Sequence, residues 1–231
     1  MDKTVFEPRE RGTQEREMRT PSEAEFDAVK DERFSPQIYE KLKRAKVAIA
    51  GLGGLGSHIA VMLARSGVGH LHLVDFDRVD LSNLNRQVYG VNELGELKTE
   101  ALKEILLKIN PYMNVSFESI KVDNSNVKRL FSGFNLVCEA FDNPKAKAML
   151  VSELLSRDAE TIIVSGSGMA GYGDANEIKT VKKMSRLYVC GDGKSDAFEG
   201  IGLMAPRVMI CAGHQANMII RLILGEEKEG Q

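Results

Sequence analysis

The feature that most limits how this chain can fold is the hexad Gly51-Leu52-Gly53-Gly54-Leu55-Gly56, which carries a G-x-G-x-x-G spacing. It follows the apolar run Val47-Ala48-Ile49-Ala50 and precedes Ser57 to Arg65, where apolar residues recur at helical spacing. A short apolar run bounded by glycines reads as a buried strand. Glycines then permit a tight turn and close approach of the backbone to a phosphate, and a helix N-terminus favours the anion. Leu71 to Val74 reads as a second strand. Together these segments make one strand–helix–strand unit of about 30 residues.

The alternation continues along the chain. Pro36 opens a short helix to about Ala45, Lys98 to Ile109 is a helix stopped by Asn110-Pro111, and Val115–Phe117 is a strand. A short helix over Ser125–Phe131, a strand over Asn135–Cys138, a helix over Pro144–Leu155 and a strand over Thr161–Ser165 follow. A glycine-rich turn spans Gly166–Gly173, and weaker strands lie near Ile178–Val181 and Leu187–Val189. Gly191–Gly202 reads as an exposed, flexible loop, and Met204–Leu224 as a long apolar helix. The expected fold is α/β: a Rossmann-like, mostly parallel sheet with helices on both faces, a C-terminal mixed-strand extension and a long last helix. Residues 1–33 hold 10 acidic and 7 basic residues with few apolar ones between them. They form a charged arm, mobile or loosely docked, ahead of a domain spanning 34–231.

Composition removes several classes. The net charge of −2 provides no overall positive field for nucleic acid or an anionic membrane. No stretch approaches the roughly 20 apolar residues of a membrane span, and the charged N-terminus is no signal peptide. The three cysteines, Cys138, Cys190 and Cys211, are widely spaced and form no C-x-x-C pair. This reads as a cytoplasmic protein with reduced thiols.

The hexad alone does not distinguish a dinucleotide from ATP. Asp75, 19 residues after Gly56 at the end of the second strand, is placed to accept hydrogen bonds from ribose hydroxyls. The segment Asp75-Phe76-Asp77-Arg78-Val79-Asp80-Leu81-Ser82-Asn83-Leu84-Asn85-Arg86-Gln87 is richer than a dehydrogenase needs there. Asn83, Arg86 and Gln87 lie on the ligand side of the sheet, and Lys98 follows Arg86 by 12 residues. Arg86 and Lys98 suit a triphosphate and a departing pyrophosphate. Asp142 follows the strand at Asn135–Cys138 and suits Mg²⁺.

The combined set resembles the ThiF/MoeB/ubiquitin-activating-enzyme superfamily, most closely a short ThiF-like subgroup. The resemblance rests on the glycine run through Ser57, Asp75-Phe76-Asp77, Ser82-Asn83-Leu84-x-Arg86-Gln87, Lys98-x-Glu100-Ala101, Ile109-Asn110-Pro111 and Asp142-Asn143. Ser167 to Gly173, Cys190-Gly191-Asp192, Met204-Ala205-Pro206 and Gln215-Ala216 extend it. It implies adenylation by ATP and Mg²⁺ of the Gly-Gly carboxylate of a ubiquitin-like sulfur carrier, directed to the thiazole of thiamine. Gly51, Gly53, Gly54, Gly56, Asp75, Asp77, Asn83, Arg86, Gln87 and Lys98 would bind the nucleotide. Arg86, Lys98 and Asp142 would carry catalysis, with Asp142 on Mg²⁺.

The pattern also departs from the family. Leu187 stands where a first zinc cysteine would pair with Cys190, so no zinc is expected. Pro36 stands where an arginine often reaches a neighbouring subunit, and Arg33 is the nearest substitute. Cys190 retains a candidate thiol role toward the carrier, beside the alternative of a packed thiol. The last helix suggests a homodimer. Other readings are activation of a tRNA-linked carboxylate, an NAD-binding oxidoreductase and a nucleotide-binding scaffold without turnover. The oxidoreductase leaves Arg86, Lys98 and Asp142 together unexplained.

Overall fold

The computed structural model describes residues 19–157, 159–196, 200 and 202–226. Seven strands form one sheet: β1 (Lys46–Ala50), β2 (His70–Val74), β3 (Asn114–Glu118), β4 (Leu136–Glu139), β5 (Ile162–Gly166), β6 (Lys179–Met184) and β7 (Leu187–Gly191). Their order is β3-β2-β1-β4-β5-β7-β6. All neighbours are parallel except β6, an antiparallel edge strand against β7. That hairpin is the expected mixed-strand extension.

Strand alternation divides the core. Val47, Ile49, Leu71 and Leu73 point to one face, where they pack with α3 (Gly54–Ser66), α4 (Lys98–Ile109) and α7 (Ala205–Leu224). Ala48, Ala50 and Val74 point to the other, toward α5 (Val127–Leu130) and α6 (Pro144–Arg157). Helix ends follow local chemistry. Gly67 terminates α3 in the left-handed region, with φ 91°. The Asn143 side chain caps α6 by accepting from the Lys145 and Ala146 N–H groups at 2.9 and 3.0 Å.

The later part of the charged arm is helical. α1 (Glu23–Phe34) starts with a Ser22/Glu25 capping box and buries no residue. Polar contacts hold it to α2 (Pro36–Arg44): Asp27 accepts from Tyr39 Oη at 2.8 Å and from Lys43 Nζ at 2.7 Å. The Phe26 ring meets Tyr112 edge-on, with centroids 5.7 Å apart. Residues 1–18 of the expected arm lie outside the described residues, as do 197–199 and 201 of the expected 191–202 loop. The first part of that loop is not loose, because Gly191 ends β7 and the Asp192 side chain is only 1% exposed. Among the described residues no helix is long and apolar enough to cross a membrane.

Candidate active site

β1 connects to α3 on one face of the sheet, and β4 connects to α6 on the other. Their C-terminal ends therefore flank a topological switch point, where open α/β sheets bind ligands. The glycine hexad occupies it. Gly51 adopts φ +89°, and a Cβ there would sit 2.8 Å from the Ala140 carbonyl oxygen. A Cβ on Gly56 would fall 1.8 Å from the Gly51 oxygen, so helix and loop close on each other only without side chains. Gly53 precedes α3 and supplies no side-chain cap. The first N–H groups of this 13-residue helix thus lack a side-chain acceptor and face the crevice with the dipole behind them. This glycine cradle fits a phosphate.

Asp75 lies beside the loop, 8% exposed. Its Oδ2 accepts from Leu52 N at 2.6 Å and its Oδ1 from Asp77 N at 2.8 Å. Each oxygen keeps a further lone pair, which suits ribose hydroxyls. Burial pushes its pKa up, against the two N–H groups and the Lys98 charge. Tyr89 supports the loop from behind, donating to the Leu52 carbonyl at 2.9 Å.

The cationic segment wraps the first turn of α3. A Cβ on Gly54 would lie 3.6 Å from Arg86 Cγ, and one on Gly53 would lie 3.7 Å from Gln87 Nε2. Gln87 is buried and its Oε1 has no partner among the described residues. Arg86 Nη1 donates to the Ser82 carbonyl at 3.0 Å and to Asn85 Oδ1 at 2.8 Å, so its fork is held locally. Asn83 Oδ1 accepts from Asp80 N at 3.1 Å and shapes the turn. Lys98 is nearly buried and pairs with Asp77 Oδ2 at 2.9 Å.

Asp142 sits beyond β4 in the turn before α6, exposed and without a partner among the described residues. The preceding Phe141 lies against the hexad, its Cδ1 3.0 Å from a Cβ position on Gly51. A solvated carboxylate at this edge is a suitable hard ligand for Mg²⁺. The loop, Asp75, Asp77, Asn83, Arg86, Gln87, Lys98 and Asp142 thus share the strand-end edge.

Cys190 does not join them. It is the penultimate residue of β7, two strands from β4, and is fully buried. Burial pushes its thiol up to about 11, only partly offset by Thr180 Oγ1 at 3.4 Å. In this conformation it is a packed thiol, neither exposed nor ionised at neutral pH.

Glu139 was not legible as a site residue. Its buried carboxylate accepts from Lys147 Nζ and Ser165 Oγ, each at 2.5 Å, and from Phe141 N at 2.8 Å. It therefore fixes the turn that carries Asp142. The available signal was a carboxylate ending an apolar strand, with a lysine eight residues on.

Fold and site define a Rossmann-like domain with an anion-ready crevice at its switch point. The ThiF family profile matches residues 27–231, and the chain belongs to that family. It is 31% identical over 196 residues to the molybdopterin-synthase adenylyltransferase of Salmonella typhimurium, covering 82% of this chain and 77% of that one. It is 32% identical over 193 residues to the adenylyltransferase and sulfurtransferase UBA4 of Saccharomyces cerevisiae, covering 80% of this chain but 43% of the yeast protein. The chain thus spans less than half of that relative. In fold it is similar to the Escherichia coli tRNA N6-threonylcarbamoyladenosine dehydratase TcdA crystallised with AMP. There the TM-score is 0.79 at 22% identity, over 90% of this chain and 98% of that one.

Proposed function

We propose that residues 34–231 form an adenylation domain that uses ATP to activate the C-terminal Gly-Gly carboxylate of a ubiquitin-like, ThiS-like sulfur carrier, with residues 1–33 as an accessory arm. The observation that carries this reading is the pairing of a glycine-led helix lacking a side-chain cap with Asp142, which has no partner among the described residues, on the same edge of the sheet. Similarity to two adenylyltransferases supports the reaction type.

In this reading Asp75 holds the ribose. The α3 N-terminus and the hexad cradle the phosphates, with Gln87 and Asn83 beside them. Arg86 and Lys98 neutralise charge on the triphosphate, and Lys98 exchanges its Asp77 partner for a phosphate oxygen. Asp142 would hold Mg²⁺, which would supply charge neutralisation on the triphosphate. A carboxylate oxygen of the carrier attacks the α-phosphorus, the bond to the bridging β-phosphate oxygen breaks, and pyrophosphate leaves with that electron pair. An acyl-adenylate remains. No side-chain nucleophile is needed, so catalysis is positioning and electrostatic stabilisation. In this reading the product is an activated carboxyl group ready for sulfur, destined for the thiazole of thiamine. In this reading α7, which exposes Met209, provides a homodimer contact.

The test is pyrophosphate exchange into ATP with Mg²⁺ and a Gly-Gly-ended carrier. Carrier-dependent exchange that Asp142→Ala lowers at least a hundredfold supports the reading. Tight ATP binding without exchange contradicts it.

A second reading, activation of a tRNA-linked carboxylate, is favoured by 34% identity over 149 residues to the tRNA threonylcarbamoyladenosine dehydratase of Haemophilus influenzae. Exchange dependent on the modified tRNA instead of the carrier would select it.

A further inference from the structure

β5 and β7 are parallel neighbours, so the loops that follow them emerge on the same edge as the phosphate loop. These two glycine-rich loops are joined backbone to backbone. Ser167 N donates to Cys190 O at 2.8 Å, Asp192 N to Gly168 O at 2.9 Å, Gly193 N to Ser167 O at 3.0 Å and Gly171 N to Gly202 O at 2.9 Å. The joint is closed by a buried ion pair, Arg207 Nη2 to Asp192 Oδ2 at 2.5 Å, with side chains 4% and 1% exposed. Asp192 Oδ1 also accepts from Lys194 N and Ser195 N, both at 2.8 Å. Arg207 Nη1 donates to the Asp174 carbonyl at 2.8 Å, and Glu177 Oε2 lies 3.7 Å from Nη2. The fit is tight: a Cβ on Gly168 would lie 2.1 Å from Asp192 Oδ1, and one on Gly173 would lie 3.0 Å from Arg207 Nη1.

The helix that carries Arg207, and the segment leading into it, reach the phosphate loop and the residues beside it. Val208, next to Arg207 in the first turn of α7, would have its Cγ1 3.0 Å from a Cβ on Gly54. Asn85 Nδ2 donates to the Leu203 carbonyl at 3.4 Å. An isolated buried ion pair is a poor source of stability, because desolvation offsets the attraction; its attested use is to specify one arrangement. We propose that Arg207 is a positioning residue: through Asp192 it fixes the two glycine-rich loops beside the phosphate loop, on the side from which the acceptor carboxylate approaches. This role rests on the adenylation reading given above.

The test compares wild type with Arg207→Lys, Arg207→Met, and Arg207→Met combined with Asp192→Asn. The combined variant removes both buried charges and so protects folding. ATP affinity is measured by calorimetry, and acceptor KM by pyrophosphate exchange with a Gly-Gly-ended carrier. Hydrogen exchange is followed over 167–173 and 191–196. The expected result is an acceptor KM raised at least tenfold in both methionine variants and less in the lysine variant, with ATP affinity within threefold of wild type. Faster exchange in the two loops, with β1 and β2 unchanged, accompanies it. Unchanged acceptor KM, or equal losses of acceptor and ATP binding, overturns the proposal. If wild type binds ATP but activates no Gly-Gly carrier, the adenylation reading fails by itself. Loop exchange then decides whether Arg207 fixes the loops, and unaltered exchange overturns that too.

Discussion

Single residues separate binding chemistry from folding. Asp142 is exposed and unpartnered among the described residues. Asp142→Ala should therefore leave stability within about 0.5 kcal/mol of wild type, measured by urea unfolding, while removing exchange activity. Gly56 is the opposite case. Its added Cβ would meet a backbone oxygen at 1.8 Å, and no side chain can move aside. Gly56→Ala should destabilise the fold by about 2–3 kcal/mol or more in the same assay. Cys190 is fully buried with its thiol pushed up to about 11. A thiol reagent at neutral pH should label it only after unfolding; rapid labelling of the native protein would restore its candidacy. Asp192 carries a pH signature. Burial opposes its ionisation, but the Ser195 and Lys194 N–H groups and Arg207 outweigh this and hold its carboxyl well below the usual range. A depressed folded pKa gives stability that is present above the unfolded value and lost as pH falls. Asp192→Asn should thus lower the melting temperature at neutral pH, and the gap from wild type should narrow below about pH 4.

At the scale of elements, punctuation was enough where an apolar run or helical spacing met a clear stop. β1 was legible as an apolar run closed by glycines, buried on both faces, and α4 as helical spacing from Lys98 to the Asn110-Pro111 stop. The glycine hexad, Asp75 and the Arg86 segment were legible for the same reason: spacing tied them to strand ends. The Asp192–Arg207 tie was not. Its partners are 15 residues apart and meet only because β7 and α7 bring them together, while glycine-rich composition reads as looseness. Glu139 was hidden similarly, since its partner Ser165 comes from the neighbouring β5. The helical end of the charged arm, α1, buries nothing and is held by Asp27, Phe26 and Tyr112, contacts that hydrophobic patterning does not register.

Over the whole molecule, the sheet order places the hexad, the cationic segment and Asp142 around one switch point, and puts the paired glycine-rich loops on the same edge. In the proposed reading, a carboxylate is brought in along this edge to receive the adenylyl group. The most direct measurement is the intact mass of a Gly-Gly-ended carrier after incubation with the protein, ATP, Mg²⁺ and pyrophosphatase. Adenylation predicts a carrier heavier by one adenylyl group (AMP less water) on its C-terminal residue, dependent on Arg86 and Asp142. A carrier of unchanged mass, with ATP bound and the carrier engaged, would contradict it.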